Sequence, residues 1–334
     1  MRVLCVTNLY PTPERPAWGA FVRSQMESLR PLGVDFDLLL VRGWESRWNY
    51  WWQRREVRAA LRRGYELVHV HFGLTGAVLE GVPTPALVLS LCGDDLLGRS
   101  RPDGSIAASS RPMMWLSRRL ARRADAVIVK SEHMRQALLP LREAVVVPNG
   151  VDFEVFVPAP QAEARRRLGW SEAERYVLFA ADPAVAAKNY PLAEAALRCL
   201  LAGGVDARLM PFHGRPQREL VDAMNAADAL LLTSWAEGSP NVVKEAMVVG
   251  LPVVSVDVGD VREHLQGCAG CTVTERAAGP LAAALRPLLE RPRRTDGRSR
   301  MEHLRSERVA ERLLGVYRQA LDSRRAGRAG DRGA

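Results

Sequence analysis

The feature that most constrains this chain is a series of short apolar runs with few or no polar interruptions. They are Arg2–Thr7 (RVLCVT), Phe36–Val41 (FDLLLV), Leu67–His71 (LVHVH), Ala86–Leu91 (ALVLSL), Ala126–Val129 (AVIV) and Ala144–Val147 (AVVV) in the first half. Tyr176–Ala180 (YVLFA), Ala207–Phe212 (ARLMPF), Ala229–Thr233 (ALLLT) and Pro252–Val256 (PVVSV) follow in the second. A strand that faces water on one side alternates apolar with polar residues, whereas a strand covered on both faces reads as a continuous apolar run. Helical stretches separate these runs: one from Gly19 through Leu29 closed by Gly33, then others near 190–202, 215–226, 240–249 and 276–290. Buried strands alternating with helices form a parallel sheet with helices on both faces.

The chain has 334 residues, and surface-to-volume scaling favours two cores of roughly 150 residues each over one. The alternation pauses at Pro148-Asn-Gly150 and Val155-Phe-Val-Pro-Ala-Pro160, then restarts. The expected division is residues 1–153, residues 154–300, a helix over 301–323 that packs back on the first half, and a disordered tail over 324–334. A composition of 47% hydrophobic and 25% charged residues is that of a compact globular protein. No apolar run reaches the roughly 18 residues of a membrane span, and MRVLCVTNLYPTP lacks a signal-peptide pattern; the chain reads as cytoplasmic. Five cysteines, mostly within apolar segments, fit reduced thiols better than a disulfide framework. Cys268-Ala-Gly-Cys271, without a second pair or nearby histidines, is a weak metal signal. No repeat of solenoid period is visible.

The formal charge is +9, but of 47 basic residues 44 are Arg and only Lys130, Lys188 and Lys244 are Lys. Lys is a compact point charge and Arg a planar fork, so these three positions stand out.

The stretch WAEGSPNVVKEAMVVG, Trp235 to Gly250, carries two carboxylates eight residues apart across a turn. The strand before it ends at this turn, and ligands of open parallel sheets bind at the carboxyl ends of strands. Ser239 before Pro240 reads as a helix cap with proline at the first helical position, and Gly250 as the stop. The first amides of that helix, around Asn241, Val242 and Val243, lack intrahelical partners and form a phosphate site. Glu245 then lies roughly 8–9 Å along the axis from the helix start. Acid, phosphate cradle, acid is also the order of hexose, diphosphate and ribose in a sugar nucleotide. Glu237 would hold sugar hydroxyls and Glu245 ribose hydroxyls; otherwise the two are a loop acid and an exposed helix residue.

The continuation, EGSPNVVKEAMVVGLPVVSVDVGDVREHL, resembles the C-terminal signature of glycosyltransferase family 4, retaining transferases of the GT-B fold, whose E-x7-E motif matches Glu237 and Glu245. Gly19, His71, CGDD at 92–95, ARRADAVIVKSE at 122–132, PNGVD at 148–152 and AKNYPLAEA at 187–195 fall in that family's order. The resemblance implies two Rossmann-like doubly wound domains facing across a cleft, with the nucleotide-sugar on the C-terminal domain and the acceptor on the N-terminal one. It implies retention at the anomeric carbon without a metal or other cofactor. Lys188 matches the diphosphate-clamping lysine, and Glu237 and Lys188 would act at the reacting centre. Glu245, Gly238, Ser239, Asn241, Val242 and Gly19 would bind the donor, and Asp95 and His71 would lie on the acceptor side. Two positions depart from the family: Pro183 stands where an arginine often completes the clamp, and Cys92 where a sugar-contacting histidine is common.

Residues 44–63 (WESRWNYWWQRREVRAALRR) hold four of the eight tryptophans and six arginines. Such a mixture suits an anionic membrane surface, where a lipid-linked acceptor would be found; a helix docked on the domain by its tryptophans is the plainer reading. Nothing resembling a nucleic-acid motif accompanies it. The acceptor is expected to be a glycan, a glycolipid, a lipid-linked saccharide or a small molecule. Two alternatives stand beside the transferase: a non-catalytic basic binder of membrane or nucleic acid on a degenerate GT-B fold, and a sugar-nucleotide epimerase of the same fold.

Overall fold

The computed structural model describes all residues except Ala17, Arg47 and 331–334. In the first half β1 (Arg2–Thr7), β2 (Asp35–Leu40), β3 (Leu67–His71), β4 (Ala86–Ser90), β5 (Ala126–Val129) and β6 (Val145–Val146) form a parallel sheet in the order β2-β1-β3-β4-β5-β6. In the second half β7 (Tyr176–Phe179), β8 (Arg208–Pro211), β9 (Ala229–Leu232), β10 (Val253–Val256) and β11 (Thr272–Thr274) pair in parallel in the order β11-β10-β9-β7-β8. The architecture is GT-B, two Rossmann-like α/β domains. The sequence missed β11, a polar three-residue strand at a sheet edge with no apolar run to announce it. Pro211 is tolerated because β8 is the opposite edge, where a missing amide breaks no ladder.

The uninterrupted runs have the predicted cause. Along β1, Val3 and Cys5 enter one hydrophobic cluster and Leu4 and Val6 another, so the strand is buried on both faces. The first cluster continues from that face of the sheet through the last helix into the second half, while the other lies under residues 57–61 and 120–138.

Two crossings join the halves and are hydrogen-bonded to each other. The Val151 amide donates to the Leu304 carbonyl at 2.8 Å and the Ser306 amide to the Val151 carbonyl at 3.0 Å. Gly150 has no room for a side chain there, since a Cβ would lie 2.8 Å from Ser306 Cα. The last helix, Ser306–Gly330, buries Val309, Ala310, Leu313, Tyr317 and Ala320, the three-four spacing of one helical face, against β4 and β5. It runs into the segment expected to be a disordered tail. Arg324 explains this, donating to the Thr84 carbonyl at 3.2 Å and lying 3.8 Å from Asp125; residues 331–334 of that expected tail lie outside the described residues.

Tyr317 fixes the helix to the sheet. Its hydroxyl is 2.6 Å from His69 Nδ1, and His69 Nε2 is 2.8 Å from Ser90 Oγ, all three groups being fully buried. Burial keeps His69 neutral, well below its usual range. Tyr317→Phe strands one ring nitrogen without a partner, at a cost of about 1–3 kcal/mol. Urea unfolding should show that loss, and a change under about 0.5 kcal/mol would remove the bond from the account of stability.

Candidate active site

Each sheet has the order of a doubly wound fold with one reversal, between β1 and β3 in the first half and between β7 and β9 in the second. Loops leaving the carboxyl ends of strands at such a reversal splay to opposite sides and open a crevice. Lys188 follows β7 and Glu237 follows β9, so the second sheet brings both to its crevice. Lys188 also lines a hollow there with Ala181, Ser234 and Val242.

Both loops are held by backbone. Thr233 Oγ1 donates to the carbonyls of Lys188 at 2.9 Å and Asn189 at 3.0 Å, and the Trp235 amide donates to Ala187 O at 2.8 Å. Asn189 sits at φ 52°, in the left-handed region that asparagine enters more readily than most residues. So fixed, Lys188 Nζ donates to Glu237 Oε1 at 2.6 Å, and Ser234 Oγ donates to the same oxygen at 2.7 Å. Burial lowers the Lys188 pKa, but the charge and hydrogen bond of Glu237, with Asp94 further away, outweigh it and leave the lysine above its usual value, fully charged.

The helix expected at 240–249 spans Asn241–Val248. Ser239 does not cap it: its hydroxyl accepts from Lys244 Nζ at 3.0 Å instead. The ammonium takes the oxygen because it is wholly buried and has few others, one being the Asn149 carbonyl at 3.1 Å. Lys244, one of the three lysines singled out by composition, therefore ties the turn of the second half to the crossing at Asn149. Asn149 Nδ2 also donates to Asn241 Oδ1 at 3.2 Å. The amides of Asn241 and Val242 remain at the free end of the helix dipole. Glu245 is half-buried, and its carboxylate has no hydrogen bond from a described residue. Burial pushes its pKa up to about 7, with Lys244 opposing.

On the other side of the cleft the two neighbouring aspartates have opposite fates. Asp95, chosen from sequence for the acceptor side, is fully buried and accepts the amides of Gly73 at 2.8 Å, Cys92 at 2.9 Å and Gly93 at 2.9 Å. Its carboxylate is used up in shaping the loop after β4. Asp94 is exposed, with its pKa raised by burial of its surroundings; Arg99 opposes this, and Glu237 and Lys188 are close enough to act on it from across the cleft. Sequence alone has no signal to separate the two, because the difference is which one the turn points inward. His71 is likewise a core residue: Nε2 donates to Gln25 Oε1 at 2.9 Å, Nδ1 lies 3.7 Å from the Cys5 thiol, and burial holds the ring neutral. Gly19 sits at φ 67°, and a Cβ would lie 2.2 Å from the Leu9 carbonyl carbon. Its missing side chain is required by the loop after β1.

Cys268 Sγ lies 2.7 Å from Thr295 Oγ1, and among the described residues no three His, Cys, Asp or Glu side chains form a metal-binding group. No helix among them is long and apolar enough to cross a membrane. Three of the four tryptophans of 44–63 do not dock the segment: Trp48, Trp51 and Trp52 are 71%, 61% and 59% exposed, while Trp44 is half-buried and Val57 fully buried.

Residues 3–155 match the family model described as Glycosyltransferase Family 4, and residues 176–291 the one described as Glycosyl transferases group 1. The D-inositol 3-phosphate glycosyltransferase of Kineococcus radiotolerans is 28% identical over 83% of this chain and 76% of its own. The putative teichuronic acid biosynthesis glycosyltransferase TuaC of Bacillus subtilis is 22% identical over 85% and 88%. Among solved structures, sucrose-phosphate synthase from Thermosynechococcus elongatus superposes with a TM-score of 0.77 at 18% identity, covering 97% of this chain and 100% of that one. Anabaena HepE in complex with UDP and glucose gives 0.65 at 16% identity, covering 97% and 99%. With two family models spanning most of both halves and the GT-B crevice between them, the chain belongs to the family 4, group 1 glycosyltransferases, enzymes that take their sugar from a nucleotide-sugar donor.

Proposed function

We propose that this chain transfers a hexosyl group from a nucleoside diphosphate sugar, with retention and without a metal, to a saccharide acceptor presented at an anionic membrane surface. The observation that carries the transfer chemistry is the Lys188–Glu237 pair at the crevice of the second sheet, beside the free helix end at Asn241. Glu237 receives the sugar hydroxyls, the Asn241 and Val242 amides and Lys188 receive the diphosphate, and Glu245 the ribose. As the anomeric carbon–oxygen bond breaks, negative charge grows on the departing phosphate, where Lys188 and the helix end stabilise it. The acceptor hydroxyl attacks from the same face, and its proton passes to a departing phosphate oxygen. The relatives support a polyol or cell-wall saccharide as acceptor class, and UDP-glucose, the ligand of a HepE complex, is the donor to test first.

An exposed surface on the first half supports the membrane placement. Arg54 lies 4.9 Å from the Trp51 ring centroid and donates to the Glu80 carbonyl, while Arg119, 5.9 Å from the Trp115 ring, donates to the Glu80 carboxylate at 2.7 Å. Glu80 thus joins two separate tryptophan-arginine segments into one face, with Trp115 63% exposed. Tryptophan rings favour the headgroup level, and arginines the anionic phosphates.

Three outcomes are expected. Lys188→Met should lower kcat by about 10²–10³ in a donor-consumption assay over a panel of UDP-, GDP-, dTDP- and ADP-sugars; a variant within threefold of the parent would take Lys188 out of the chemistry. Nucleotide affinity should rise about eightfold from pH 6 to pH 7.5 as Glu245 ionises and gains capacity to accept two ribose hydroxyls. The folded pKa lies above the unfolded one, so the unliganded fold is favoured below pH 4.5 and loses that contribution as pH rises through 7. Glu245→Gln should flatten both trends, as calorimetry at the two pH values would reveal. Finally, the protein should co-sediment with vesicles containing phosphatidylglycerol but not with pure phosphatidylcholine. Replacing Trp48, Trp51 and Trp52 together with Ala should weaken this by about tenfold or more, and equal binding to both vesicles would leave the surface without an anionic partner.

A further inference from the structure

We infer that Lys130, on the first half of the chain, supplies the second positive charge to the donor's diphosphate, the role left open at Pro183. This rests on the transferase reading above. Between β7 and Lys188 the loop Ala180-Ala-Asp-Pro-Ala-Val-Ala-Ala187 carries no cation. Lys188 shares its charge with Glu237 at 2.6 Å. A diphosphate leaving group therefore meets one partly neutralised ammonium and a helix end.

Lys130 stands at the carboxyl end of β5, the end that faces the second half. It is 1% exposed, and its Nζ has no hydrogen-bond partner among the described residues. Four residues on, Met134 reaches the phosphate-binding turn: a Cβ on Gly238 would lie 2.8 Å from Met134 Sδ and 3.4 Å from Cys92 O. The loop bearing Lys130 and the turn bearing Ser239 and Asn241 are thus in contact. Among the described residues Asp95 is the anion near enough to act on the ammonium, and it accepts no hydrogen bond from it. Asp95 is spent on three amides. His69 and His71 are neutral through burial, and burial pushes the Cys92 thiol up to about 12. Lys244, the other charge within reach, has the same sign. Proteins seldom keep a buried cation without a partner. An incoming diphosphate, parting Gly238 from Met134, brings the missing hydrogen-bond acceptor.

A lysine kept for the fold and one kept for a ligand respond differently to substitution. Methionine has nearly the same length without the charge, and Lys130→Met breaks no hydrogen bond among the described residues and leaves Asp95 with its three amides, so the thermal midpoint should change little. The test is calorimetric titration of the full chain with UDP, GDP, ADP and dTDP and with the matching nucleosides, for the parent, Lys130→Met, Lys130→Gln and Lys188→Met. Whichever diphosphate the parent binds should bind Lys130→Met and Lys130→Gln at least about tenfold more weakly, with the nucleoside unaffected and kcat lowered. Folded variants that bind the diphosphate within twofold of the parent would overturn the inference while leaving the transferase intact. Loss of nucleoside and diphosphate binding together with a lower midpoint would make Lys130 a structural residue, also overturning it. A parent that binds none of the four diphosphates would defeat the donor reading itself, and this inference with it.

Discussion

Strand direction governs everything at the cleft. In two all-parallel sheets every loop that follows a strand emerges on one edge, and the crossings at Val151 and Arg305 turn those two edges toward each other. Residues from β1, β4 and β5 in one half and β7 and β9 in the other thereby converge, although they are spread over more than two hundred positions of chain. Parallel pairing also demands that both faces of each sheet be covered. The core is therefore largely apolar, and the polar groups a reaction needs collect at the strand ends.

That constraint explains what the sequence could disclose. Both sheets were legible because burial on two faces leaves apolar runs such as LVHVH and ALLLT, and the two-glutamate turn was legible because spacing along a helix maps directly onto distance. The edge strand Thr272–Thr274 was illegible because an edge carries no such run. Asp94 and Asp95 could not be told apart, since three amides in a tight turn, rather than residue type, decided which became a loop clasp. Ser239 looked like a helix cap by every local rule. A buried ammonium five residues later competed for its hydroxyl, and a long-range requirement overrode a local preference.

Composition held one more signal, and its meaning came only from the fold. A chain that chooses Arg 44 times in 47 keeps Lys at three places, and the structure sets all three around the contact between the halves: Lys188 against Glu237, Lys244 under Ser239 and Asn149, Lys130 behind Cys92 and Asp95. Arginine could not replace them without change. A guanidinium stays charged under all ordinary conditions and needs several acceptors in a plane, whereas an ammonium is compact and can yield its proton when buried.

Burial pushes Lys244 down to about 8 and also lowers Lys130, with Cys92 and Asp95 opposing it, so these two buried ammoniums hold their protons less firmly than surface lysines do. An anion entering the cleft reverses that balance, since a nearby negative charge favours the protonated form. A lysine can serve such an exchange because its charge is conditional where that of arginine is not.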